Sequence, residues 1–262
     1  MIRKARAEAP DESAVIAARL AGPGQNMAAG SDRRAGPGRG TRLIAVCGLL
    51  AVVLTLPAFV AVPQAPAVGS AVSRIASYYQ LQGTRFLLYG WLTAASVPLM
   101  VVHVVVASDW LRRQPRLPSF LWLIYLASGL IAETMQLVLL AEFQAAGVTA
   151  MAHDSSAAFA LSDLANVGFS FYALSVCAWL CVATVAIAGT RLVWRWLAGF
   201  TSVTAVLCIV GSTGAIGRSG QAAAGTVTTT AWYLAFLLTF ALTNLCLLVT
   251  RRGRERSQGD TS

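Results

Sequence analysis

One carboxylic acid stands where an acid is most expensive. Glu133 falls near the middle of an apolar run, residues 121 to 143, whose central part reads GLIAETMQLVLL. A charge at that depth in a membrane costs a few kcal/mol on insertion scales, and such residues face a bundle interior. The chemistry open to it is proton donation to an apolar substrate, proton carriage, or anchoring of a polar ligand head. Helical spacing places Tyr125, Gly129, Glu133 and Gln136 along one stripe. Gly129 lets a neighbouring backbone or a ligand approach, and Gln136 stands one turn away as a hydrogen-bond partner. Hydroxyls of a neighbouring helix, Thr93 or Ser96, are further candidate partners.

Other polar groups are fewer and more ordinary. His103 lies in the apolar run VPLMVVHVVVASDW, at a depth about 10 Å from Glu133 by helical rise. That separation favours a histidine bonded near the interface over direct contact. Asn244, with Thr239 and Thr243, gives the last apolar run a polar face suited to interhelical hydrogen bonding. His153 and Asp154 are adjacent in a connecting segment and read as a solvated loop. Cys177 and Cys181 are one turn apart but have no histidine or acid nearby in sequence, so they read as small packing residues. No metal site and no cofactor are expected, since nucleotide-binding and zinc-binding signatures are missing.

The elements that must position these groups follow from composition. Of 262 residues, 56% are hydrophobic and only 12% charged, about half the charged share of soluble domains. Six stretches approach the ~20 apolar residues that cross a ~30 Å hydrocarbon layer. They are 43 to 63, 87 to 108, 121 to 143, 167 to 190, 197 to 216 and 231 to 250. The expected fold is all-α, a polytopic bundle of six transmembrane helices. It is flanked by a basic, disordered tail over 1 to 42 and a basic tail over 251 to 262. A short surface helix over 10 to 20 is a weaker expectation.

Charge orients the bundle. With both tails in the cytoplasm, seventeen lysines and arginines lie inside and only Arg74, Arg85 and Arg218 outside. That asymmetry predicts an N-in/C-in topology in a bacterial plasma membrane. The formal charge of +9 sits mainly in the tails, where anionic lipid suffices as its partner and nucleic acid is not required. Tyr78, Tyr79, Tyr89, Trp91, Trp232 and Tyr233 would belt the outer interface, and Trp110, Trp122, Trp194 and Trp196 the inner one. The outer segment 64 to 86 carries Val72, Ile75, Tyr78 and Tyr79 at helical spacing, which predicts an interfacial helix. Segment 144 to 166 is expected to end at a cap on Ser162 or Asp163 opening the fourth span.

The motif RIASYYQLQGTRFLLYGWL, with LSDLANVGFSFYAL and WYLAFLLTFALTNLCLLVTRR, resembles a family of six-span actinobacterial integral membrane proteins. The likeness rests on Ile75, Tyr78, Tyr79 and Arg85. Where that family carries a Pro-Arg-Trp-Leu-Gly-Trp-like turn, this chain has Val193 to Ala198. The resemblance implies a six-helix fold and no particular activity. In size and helical character the chain is also similar to small integral-membrane terpene cyclases, which usually have seven spans. That likeness implies an acid, here Glu133, protonating an isoprenoid. The aromatic faces would come from Tyr125, Trp91, Phe171 and Tyr172, and a second acid would be Asp109 or Asp163.

Three functions are thus open. One is binding of a lipid-like or isoprenoid-like molecule at a polar patch of Glu133, Gln136, Tyr125, Gly129, Ser96 and Asn244. A second is a membrane enzyme with Glu133 as proton donor. The third is a proton-coupled exporter. Base rates favour the first.

Overall fold

The computed structural model of the chain describes residues 37–61, 66–190, 196–213 and 227–259. Most of the basic tail over 1 to 42, the surface helix over 10 to 20, Trp194 and Arg218 lie outside the described residues. Six helices follow one another: α1 (Pro37–Ala61), α2 (Val72–Arg112), α3 (Leu121–Met151), α4 (Ser155–Thr190), α5 (Trp196–Ser212) and α6 (Val227–Gly259). Five are long and apolar enough to cross a membrane; α5, with 17 residues, is the shorter exception.

Their surfaces fit lipid. Leu88, Val105, Ile131, Val185, Val203 and Leu238 are all exposed. In water such a belt would be an aggregation surface; against acyl chains it costs nothing. Inside, small residues set the spacing. A Cβ on Gly129 of α3 would lie 2.8 Å from both methyls of Val104 on α2, so only glycine admits that approach.

Four helices, α2, α3, α4 and α6, outrun a bilayer, with 41, 31, 36 and 33 residues. α2 has 41 residues, which spans about 60 Å at the usual rise, about twice the hydrocarbon thickness. Its surplus is the first four turns, so segment 72 to 86 is not a separate interfacial helix but continues straight into the apolar stretch. The reason is packing. Ile75, Tyr79 and Phe86 of α2 meet Ala146 and Ala150 of α3 and Ala158 of α4 in a buried cluster of their own. Tyr79 donates to Ser162 Oγ at 3.3 Å, and Asn166 Nδ2 donates to the Pro66 carbonyl at 3.1 Å. α4 accordingly starts earlier than the Ser162 or Asp163 cap would put it. Asp154 Oδ1 accepts the Ala157 amide at 3.0 Å, while His153 takes φ 65° in the tight turn before it. His153 and Asp154 are both exposed.

The aromatic belt also needs correction. Tyr79, Trp232 and Tyr233 are buried, at 0, 1 and 3% exposure, and build the core instead of ringing it. Trp91 is 76% exposed, as an interfacial tryptophan would be.

Candidate functional site: an aromatic cavity beside a closed acid cluster

The end of the bundle where α1 begins and α2 finishes holds a cavity. His103, near the last third of α2, is buried. Its Nδ1 lies 2.9 Å from the Ile44 carbonyl of α1. A carbonyl only accepts, so Nδ1 is the donor, and in the neutral ring Nε2 is left as acceptor. The Tyr125 hydroxyl of α3 donates to it across a long 3.4 Å. Phe240 of α6 tilts over the imidazole with centroids 4.7 Å apart. Trp179 of α4 closes the wall edge-on to both His103 and Tyr125, at 6.3 and 5.7 Å. These rings, with Trp110 and Phe236, line a partly open cavity of about 100 Å³. That is several times the ~10–15 Å³ that admits one water.

The wall is apolar because its hydroxyls are spent. Thr201 donates to Leu197, Thr243 donates to Thr239, and the hydroxyls of Thr239 and Thr204 share a bond of 2.7 Å. Asn244 differs. Its Nδ2 donates to the Phe240 carbonyl at 2.8 Å, but its buried Oδ1 has no partner among the described residues. Gly48 of α1 sits against this amide, where a Cβ would lie 2.5 to 2.7 Å from its atoms. Among the described residues, no aspartate, glutamate, lysine or arginine lines the cavity.

Glu133 is elsewhere. It is 2% exposed, and neither carboxyl oxygen has a hydrogen-bond partner among the described residues. The Glu133–Gln136 bond is not formed: neither Glu133 oxygen has a partner among the described residues, and Gln136 Oε1 accepts the Tyr172 hydroxyl of α4 at 3.0 Å. Tyr172 belongs to a dense aromatic group with Phe169, Trp232 and Tyr233. Ser96 donates to the Thr93 carbonyl of its own helix at 2.7 Å and is not bonded to the acid.

The six residues expected to share a polar patch therefore divide. Tyr125 and Asn244 join His103 at the cavity. Gly129 packs against Val104, and Glu133, Gln136 and Ser96 are buried off the described cavity lining. Of the aromatic faces proposed for a carbocation, Trp91 is 76% and Phe171 49% exposed, so both present to the surroundings. Asp109 pairs with Arg112 and Arg113 at 3.0 and 2.6 Å on the surface and cannot be a second internal acid. Among the described residues, no group of three or more histidine, cysteine or acidic side chains could hold a metal.

In residue order nothing singles out Trp179, Phe236 or Phe240 as cavity walls; the one sequence signal is Phe236 and Phe240 one turn apart on the same face as Thr243 and Asn244. No protein-family model, curated protein or solved structure matches the chain.

Proposed function

We propose that this chain is a six-span plasma-membrane protein, with both termini cytoplasmic, that binds a lipid-like or isoprenoid-like small molecule. The site is the cavity at His103, Tyr125, Trp179 and Phe240, not the surroundings of Glu133. The carrying observation is an apolar, aromatic-walled and partly open cavity with three polar groups, His103, Tyr125 and Asn244, on its walls. Concave, mainly apolar sites with few polar groups suit small amphiphiles. α5, at 17 residues, sits at the short end of what spans a bilayer and is supported by the 17-to-3 charge asymmetry, which needs an even number of crossings. The partners on this reading are membrane lipid and one apolar ligand.

Two measurements test it. Reporter fusions at both ends should place the termini on the cytoplasmic side; opposite sides would remove the six-span count. Mass spectrometry of small molecules co-purifying with the protein should find a specific apolar ligand that Ala186→Phe, which fills the cavity, displaces. Co-purification unchanged by the filling would remove the site. Enzymatic protonation by Glu133 has less to support it, since the acid does not line the cavity.

A further inference from the structure

Among the described residues the cavity wall carries no charge, yet its end is framed by arginines. Two lining residues of that end, Thr41 and Leu111, are each followed directly by an exposed arginine, Arg42 and Arg112. Arg113 continues the series, and the turn after it bears Arg116. This turn folds back on the cavity: Leu117 reaches Gly189 of α4, where an added Cβ would lie 2.6 Å from Leu117 Cδ2. Gly189 adjoins Thr190, another lining residue. Half-buried lining residues at this end, Trp110, Thr190 and Leu247, form the rim.

The charges there do not cancel. Asp109 is the acid paired among the described residues, and both its oxygens are taken by Arg112 and Arg113. Arg42 and Arg116 are exposed and make no ion pair with the described residues. An occupant with a charged group inside would meet no counter-charge among the described lining residues, which disfavours ions in the depth of the cavity. Among the described residues, an occupant with a negative group at the rim meets four arginines, Arg42, Arg112, Arg113 and Arg116, against one aspartate. Guanidinium groups bind phosphate oxygens with charge-assisted hydrogen bonds, and basic clefts between membrane helices suit anionic head groups.

We infer that the ligand is an anionic, phosphate-headed membrane lipid, with one chain in the cavity and its phosphate at Arg42 and Arg116. This rests on the cavity being the binding site, and the experiment separates the two. Full-length protein is reconstituted in phosphatidylcholine vesicles doped with phosphatidylglycerol or with phosphatidylcholine, the dopant carrying brominated chains. Bromine quenches nearby tryptophan, and Trp110 and Trp179 line the cavity. The signal is the part of the quenching that Ala186→Phe removes, with Ala183→Leu as a second filler should the first fail to fold. Quenching of tryptophans on the lipid face is thereby subtracted.

The expected result is a preference for phosphatidylglycerol on the order of tenfold. It should fall as salt rises and vanish in Arg42→Gln/Arg116→Gln, whereas filler-sensitive quenching by phosphatidylcholine survives in that variant. Equal filler-sensitive quenching by both lipids in the unaltered protein overturns the head-group assignment and leaves the cavity as a site. A preference that the double arginine variant retains also overturns it. Quenching that neither filler reduces overturns the cavity reading itself.

Discussion

Two buried regions of this bundle use similar residues to opposite ends. Around Tyr172, Phe169, Trp232 and Tyr233 the rings pack on one another, and the buried Glu133 carboxyl has no partner among the described residues. Around His103, Tyr125, Trp179 and Phe240 rings at similar spacings wall a partly open space, with His103, Tyr125 and the threonine hydroxyls bonded. Glu133 is not on the described lining of that space. The contrast comes from what opposes each indole. Trp232 presses on Gly211 of α5, which lets the helices close on it. Trp179 faces imidazole and phenol rings held by their own hydrogen bonds, and these cannot collapse further. An internal acid in a membrane helix is therefore a weaker guide to a binding site than the packing around it.

The largest break in this contrast should come from removing the indoles. Trp232→Ala is expected to cost about 3–5 kcal/mol of stability, the usual range for a buried tryptophan. Trp179→Ala should cost about half as much, because one side of its ring already faces empty space and loses no contacts there. Thermal denaturation in detergent, followed by loss of the monodisperse peak, ranks the two; equal losses would mean that the cavity is filled by protein.

The hydroxyls give the next effect. Tyr172→Phe strands the buried oxygen of Gln136 and should cost roughly 1–3 kcal/mol. Tyr125→Phe loses only a 3.4 Å contact and should stay within about 0.5 kcal/mol. The same denaturation series reads both, and a Tyr125→Phe loss matching that of Tyr172→Phe would contradict the geometry at His103.

Smallest, and opposite in sign, is Glu133→Met. Removing a buried carboxyl with no partner among the described residues, for an apolar chain of similar volume, should leave stability unchanged or raise it by about 1 kcal/mol. A clear loss would show that the acid has a partner in solution, such as an ordered water. Ligand co-purification should be unaffected by this change, whereas it should fall with His103→Leu.

Much of the architecture could be read from residue order alone. The five long apolar helices follow from hydropathy over stretches of ~20 residues, a signal that tertiary contacts do not alter. What escaped was depth and facing. Tyr79 and Trp232 are amphipathic rings for which the interface and the core are both acceptable, and only the neighbouring Ser162 and Gly211 decide between them. Asp154, not Ser162, caps α4, because a hydroxyl that could cap is bonded to Tyr79 instead. Glu133 is legible as buried, and Tyr125 stands about 12 Å along the same helix by the usual rise, but the place of Asn244 on another helix is not legible. A stripe at helical spacing fixes a direction from the axis and leaves open which neighbouring helix fills the space at each level.

The 41-residue α2 carries one mechanical consequence. It is one continuous helix from the Tyr79 cluster to the arginine turn, and Pro98 removes a single rung of its backbone ladder. That rung is where the helix bends most easily, so a tilt of the end at Tyr79 is taken up at Pro98, five residues before His103. The bond from His103 to α1 is thereby insulated from movement of the four turns that project beyond the apolar stretch.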